Sequence, residues 1–177
     1  MTQKRSLEAS DLYRLRIISD PQISPDGSRV AFVLKQMSEE KNDYISNVYM
    51  VDRQGAVSQF TSGDKDAAPR WSPDGKWLAF LSGRRERSQI HLLATGGGES
   101  VALTDLKHGA GVPAWSPDST HLVFTGAVST DPDEDGEDDN SKEKDPKKPA
   151  RTKIVQRSQY KLDGAGYIGD RATPLRG

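Results

Sequence analysis

The apolar positions fall in short, dense runs separated by turn-forming residues. Three runs stand out: residues 29–34 (RVAFVL), 77–81 (WLAFL) and 121–124 (HLVF). They are nearly continuous rather than alternating, so each reads as a strand buried on both faces. Each follows almost the same phrase, Pro21-Gln-Ile-Ser-Pro-Asp-Gly27, Pro69-Arg-Trp-Ser-Pro-Asp-Gly75 and Pro113-Ala-Trp-Ser-Pro-Asp-Ser119. Ser-Pro-Asp-Gly is turn chemistry: proline presets φ, aspartate tolerates the next position, and glycine accepts the left-handed conformation that follows. It predicts a hairpin connection, often with a bulge at the glycine. In the third copy Ser119 replaces the glycine, which costs on the order of 1 kcal/mol if φ is positive there.

Further strands follow at 47–52 and 89–93. Turns at 53–55 and 95–98 lead to fourth strands at 56–61 and 100–104. The serines Ser24, Ser72 and Ser116 are spaced 48 and 44 residues apart. Four strands per unit and a repeat of roughly 40–50 residues are the marks of propeller blades. Ile23, Trp71 and Trp115 share one place in the repeat and are expected to pack between blades. The fold class is therefore all-β: an incomplete β-propeller of about two full four-stranded blades plus a partial third. A short helix precedes it over about 11–19, capped by Ser10, with Asp11 in its first turn and Leu12, Leu15 and Ile18 as its apolar stripe. Pro21 stops it. The helix is either a docking element or a cap on the first blade. These readings place an N-terminal helical segment at 1–19 and a partial propeller at 20–177, with blades at about 20–64, 65–107 and 108–177.

Composition changes this picture in one place. Hydrophobic residues make up 33% of the 177 and charged residues 29%. Much of the polar excess sits in 131–140, where seven of ten residues are acidic, and in the Lys- and Pro-bearing sequence after it. Such a stretch cannot bury apolar area to offset its ordering entropy, so 129–150 reads as a mobile acidic loop. Strand-like sequence resumes at 153–157, without a convincing completion of the third blade.

The net charge of −1 gives no steering toward nucleic acid or an anionic membrane. With no cysteine, disulfides, thiolate metal sites and cysteine nucleophiles are excluded. The N-terminus has no apolar signal core and no run approaches the ~18 apolar residues of a membrane span. The expected location is cytoplasmic.

Other patterns carry less. Asp131-x-Asp133-x-Asp135-Gly136 opens like a calcium loop, but its twelfth position is Lys142 and its second is Pro132. Gly164-Ala-Gly-Tyr-Ile-Gly169 matches G-x-G-x-x-G without a good helix behind it. His91, His108 and His121 fall at unrelated points of the repeat and form no visible constellation. Lys147, Lys148, Arg151 and Lys153 balance the acidic run.

The segment Leu7–Gly27, LEASDLYRLRIISDPQISPDG, resembles the opening of acylaminoacyl peptidases and related dipeptidyl aminopeptidases of the prolyl oligopeptidase family. The SPDG-plus-Phe unit is similar to their propeller repeat, and Tyr160-Lys-Leu-Asp-Gly-Ala-Gly-Tyr167 looks like their YKxDGxGY segment. The resemblance runs from about residue 7 to 170. SPDG repeats also occur in the propeller of the Tol-Pal periplasmic protein. The resemblance implies a propeller that caps a C-terminal α/β-hydrolase domain with a Ser-Asp-His triad and admits short peptides by size. No G-x-S-x-G elbow occurs in the sequence. No catalytic, cofactor-binding or metal residue is therefore assigned, and no cofactor is expected. Expected partners are the parent's hydrolase domain, absent here, its short peptides, and a second copy through the open propeller edge; neither nucleic acid nor a membrane is expected. The leading expectation is a structural and substrate-gating propeller fragment, inactive by itself. A stand-alone Tol-Pal-type binding or scaffold module and a non-functional truncated gene product are the alternatives.

Overall fold

The structure is a computed structural model that describes residues 5, 6 and 8–129, plus the backbone of four two-residue strands farther on. It divides into two compact units, Met1–Gly126 with Leu175–Gly177, and Ala127–Pro174. In the first unit a 3₁₀ helix, Ala9–Arg14, precedes two four-stranded antiparallel sheets. The first sheet holds β1 (Arg16–Ile23), β2 (Arg29–Ser38), β3 (Asp43–Asp52) and β4 (Val57–Gln59), in that spatial order. The second repeats the pattern with β5 (Asp66–Trp71), β6 (Trp77–Ser82), β7 (Gln89–Ala94) and β8 (Val101–Ala102). A third begins with β9 (Ala114–Trp115) and β10 (Leu122–Thr125), and β15 (Leu175–Arg176) pairs with β10. In the second unit β11 (Val128–Ser129) pairs with β14 (Arg171–Ala172), and β12 (Lys161–Leu162) forms a hairpin with β13 (Gly166–Tyr167).

The stacking explains the continuous apolar runs. One cluster joins Ala31, Val48 and Met50 of the first sheet to Leu78, Phe80 and Leu93 of the second. Another joins Ala79 and Ile90 of the second sheet to Leu122 of the third. Alternate residues of β6 thus point to opposite neighbours: Leu78 and Phe80 back toward the first sheet, Ala79 forward toward the third. A period-two strand must be apolar at every position when both its faces are covered.

The helix differs from expectation. Helical sequence was expected over 11–19, but the helix ends at Arg14, and Arg16–Ile23 is strand. Ile17 and Ile18 pair with Lys35 and Leu34 of β2, so a long-range ladder outcompetes the local helical spacing. Ser10 lies inside the helix rather than capping it. The Glu8 N–H at the N-cap instead donates to Asp11 Oδ2 at 3.0 Å. Nor is Ile23 packed between sheets: it is 68% exposed, because no described sheet lies in front of β1.

The inner strands β1 and β5 each carry a bulge where register shifts, between Ser19 and Gln22 and between Ala67 and Arg70. Asp20 (φ 49) and Ala68 (φ 53) sit there in the left-handed region, each followed by proline. These strands are sheet edges, where a bulge and a proline interrupt the row of free backbone groups that would otherwise template pairing.

Candidate functional site

The polar groups that recur in the repeat meet at two places: the turn between the first and second strands of each sheet, and the junction between sheets. In the first turn the Ser24 hydroxyl donates to Asp26 Oδ1 at 2.6 Å and accepts the Arg29 N–H at 2.9 Å. Ser72 does the same with Asp74 and the Trp77 N–H, and Ser116 with Asp118 and the His121 N–H. Each aspartate also accepts a backbone N–H two residues on, from Ser28, Lys76 and Thr120. The serine hydroxyl lowers the carboxyl of Asp26 well below the usual carboxylate range, with the Ser28 N–H assisting. Ser72 lowers Asp74 in the same way. Ser116 and Thr120 bring Asp118 down to about 2. Hydrogen bonds to the ionised form cause all three shifts. Sequence reasoning assigned the turn to its proline, aspartate and glycine and missed the serine side chain. The signal was present, since serine occupies that position in all three copies.

Gly27 (φ 66), Gly75 (φ 71) and Ser119 (φ 62) all take the left-handed conformation. The strain expected at Ser119 is therefore present, and its hydroxyl gains a partner: Ser119 Oγ accepts the Asp74 N–H from the preceding sheet's turn at 3.0 Å.

The junctions repeat as the turns do. Trp71 Nε1 donates to the Gln22 carbonyl at 3.0 Å, and Trp115 Nε1 donates to the Arg70 carbonyl at 3.0 Å. Both indoles also pack against an apolar cluster, so the expectation that they lie between sheets is met. Arg29 stacks over the Trp71 ring, 5.3 Å from its centroid, and donates to the Thr95 carbonyl at 2.9 Å. Across the inner strands Arg70 pairs with Asp20 at 2.8 Å, and Asp20 also accepts from Gln22. The second sheet has a polar anchor of its own. The fully buried Asp66 accepts from the Ser82 hydroxyl at 2.6 Å and the Gly63 N–H at 2.9 Å, and faces Arg84 at 3.4 Å. A Cβ at Gly63 would collide with the Asp66 carboxylate and Arg84, so only glycine fits there.

The histidines stay apart. His91 packs against Phe80 with ring centroids 5.7 Å apart, and its buried Nδ1 has no hydrogen-bond partner; burial lowers its pKa. His121 is exposed and its Nδ1 lies 2.6 Å from Thr120 Oγ1. Among the described residues no three His, Asp or Glu side chains converge as a metal site. The calcium-loop-like segment at 131–142, the acidic loop and the basic cluster lie outside the described residues. Of Gly164–Gly169 only 166–167 are described, as strand β13.

Four-stranded antiparallel sheets stacked face to face, with the same serine–aspartate turn in each repeat and an indole contact at each junction, define a β-propeller module. A family model described as the TolB beta propeller domain matches residues 7–133, and the chain belongs to that family. The uncharacterized peptidase YuxL of Bacillus subtilis is 38% identical over 92% of this chain, which spans 24% of that relative's length. Among solved structures, the acylaminoacyl peptidase of Pyrococcus horikoshii superposes with a TM-score of 0.68. That match covers 93% of this chain and 23% of that one at 20% identity, a likeness of fold. The propeller domain of the Trilobed protease from Pyrococcus furiosus, described as having an open velcro topology, is 26% identical. Its TM-score is 0.55, over 64% of this chain and 35% of that one. The chain is thus a propeller of the TolB-like family whose fold is like that found in acylaminoacyl peptidase structures. No helix among the described residues is long and apolar enough to cross a membrane.

Proposed function

We propose that this chain is the N-terminal propeller portion of a cytoplasmic serine peptidase of the acylaminoacyl-peptidase kind, with blades at about 20–64, 65–107 and 108–177. Its role is structural and gating, and the chemistry belongs to a hydrolase domain elsewhere in the longer protein. The observation that carries this reading is the 38% identity to a peptidase over 92% of the chain. The architecture supports it: turns, indoles and ion pairs hold the blades in fixed register, as a size filter for short peptides requires.

The test has two arms. The purified chain alone is expected to release no chromophore from acyl-peptide or aminoacyl substrates; turnover by the chain itself contradicts the reading. Grafted in place of the matching segment of the B. subtilis relative, it should support peptidase activity. Loosening the inner junction there with Arg70→Ala should raise cleavage of long peptides relative to short ones. An unchanged length preference removes the gating role. The family description also favours a second reading, a scaffold module of the TolB type. A defined, stable complex with a protein that is not a hydrolase would favour that reading.

A further inference from the structure

The left-handed backbone of the first two turns calls for glycine at Gly27 (φ 66) and Gly75 (φ 71), and so places an Asp–Gly pair in each. That pair is chemically exposed. The glycine nitrogen can attack the aspartate side-chain carbonyl carbon, because glycine carries no side chain to hinder the approach. A bond forms between that nitrogen and Cγ, and the carboxyl hydroxyl leaves with the amide proton as water. Solvent water then opens the cyclic imide. Opening at Cγ restores aspartate; opening at the main-chain carbonyl breaks its bond to the nitrogen and leaves an isoaspartate, with the chain routed through the side chain. The attack needs a neutral carboxyl, a side chain free to swing toward the nitrogen, and an amide free to give up its proton.

Both turns withhold all three. The Gly27 N–H donates to the Ser24 carbonyl and the Gly75 N–H to the Ser72 carbonyl, each at 2.8 Å. Asp26 Oδ1 accepts from the Ser24 hydroxyl at 2.6 Å and the Ser28 N–H at 3.0 Å; Asp74 Oδ1 accepts from the Ser72 hydroxyl at 2.6 Å and the Lys76 N–H at 3.2 Å. These bonds fix the side chain and favour its ionised form. Both aspartates are exposed to water, while Ser24 and Ser72 are buried beneath them. The third turn escapes the hazard differently: Ser119 follows Asp118, and its Cβ hinders the attack while the backbone bears the left-handed strain. We infer that Asp26–Gly27 and Asp74–Gly75 are isoaspartate-forming sites, each held unreacted by the buried serine of its own turn. Opening of a turn then marks the chain at that turn, and the carboxylate it creates is the substrate of an isoaspartate-directed methyltransferase.

The experiment ages the whole chain at neutral pH, folded and in urea. Isoaspartate at each site is read by methyl transfer from S-adenosylmethionine with an isoaspartate methyltransferase, followed by peptide mapping. In urea both Asp–Gly pairs should isomerise freely, and in the folded wild type each should react at least about tenfold more slowly. Ser72→Ala should raise the folded-state rate at Asp74 roughly tenfold, the worth of one such hydrogen bond, and leave Asp26 unchanged. Ser24→Ala should act on Asp26 alone. Its effect should be smaller, because the Ser28 hydroxyl still donates to Asp26 Oδ1 and Oδ2, at 2.9 and 2.8 Å. A variant that merely unfolds reacts at both aspartates, so the pattern of sites separates a lost guard from a lost fold. Folded wild type that reacts as fast as the chain in urea overturns the proposal. So do variants that react equally at both aspartates, or that show no rise at their own.

Discussion

The middle blade and its neighbours are written in nearly the same sequence, yet they differ sharply in burial. Leu78, Ala79, Phe80 and Ile90 in the middle blade are fully buried. In the third blade Val123, at the place of Ala79, is 41% exposed, and in the first blade Ile23, at the place of the half-buried Trp71, is 68% exposed. Strand sequence sets which residues can be buried; a neighbour on each face sets which ones are. A blade is thus a unit that cannot complete its own core, and the stack is the smallest object with a stability worth defining. The same difference separates Asp66, sealed with Ser82, Gly63 and Arg84, from Ile18 at the same place in the first blade, which is 65% exposed.

The largest expected effect tests this contrast at the paired phenylalanines. Phe80→Ala should cost about 3–5 kcal/mol, the range for emptying a closed aromatic site, while Phe124→Ala, only half-buried, should cost about 1–2 kcal/mol. Urea unfolding of the two variants measures both, and equal losses would break the comparison. Next in size is Asp66→Ala, which leaves the Gly63 N–H and Ser82 hydroxyl without their acceptor and should cost about 2–3 kcal/mol. Its counterpart Ile18→Ala should cost less than about 1 kcal/mol, since its side chain is already in water.

How much of this was legible in the sequence follows from the range of the forces involved. The hairpin turns, the strands they join and the interior place of Trp71 and Trp115 rest on local chemistry repeated three times, and they were readable. The end of the helix was not. Leu12, Leu15 and Ile18 have helical spacing, and only the pairing of Ile17 and Ile18 with Lys35 and Leu34 turns that segment into strand. Ile23 was misplaced because the repeat says which side of a blade a residue faces, not whether a neighbour is there. The bulges at Asp20 and Ala68 were invisible for a similar reason: they answer to the edge position of β1 and β5. At the site level, the serine hydroxyls stood in plain view but were masked by the stronger turn preferences of proline and glycine.

Smaller effects sharpen the comparison between turns. Ser119→Ala keeps the left-handed backbone and loses the acceptor for Asp74, so it should cost about 1 kcal/mol; Ser119→Gly relieves the backbone while losing the same bond and should be close to neutral. Thermal melts of the two variants side by side check the order. The smallest effect is that of pH. Asp26, Asp74 and Asp118 have lowered pKa values in the folded chain, so their stabilisation is fully present above the ordinary aspartate value near 4. It is lost as pH falls from there toward the folded value, about 2 for Asp118. Replacing Ser116 with Ala should flatten that acid limb, because the hydroxyl is the largest cause of the Asp118 shift. An unchanged acid limb would remove the serine–aspartate pair from the account.

The claim that stacking from both sides sets burial is tested most directly by native-state hydrogen exchange, residue by residue, at concentrations where the chain is single. The account predicts that the amides of β6 and β7 exchange only with global unfolding, while those of β10 exchange far faster through local opening. Equal protection in β6 and β10, or slower exchange in β10, would contradict it.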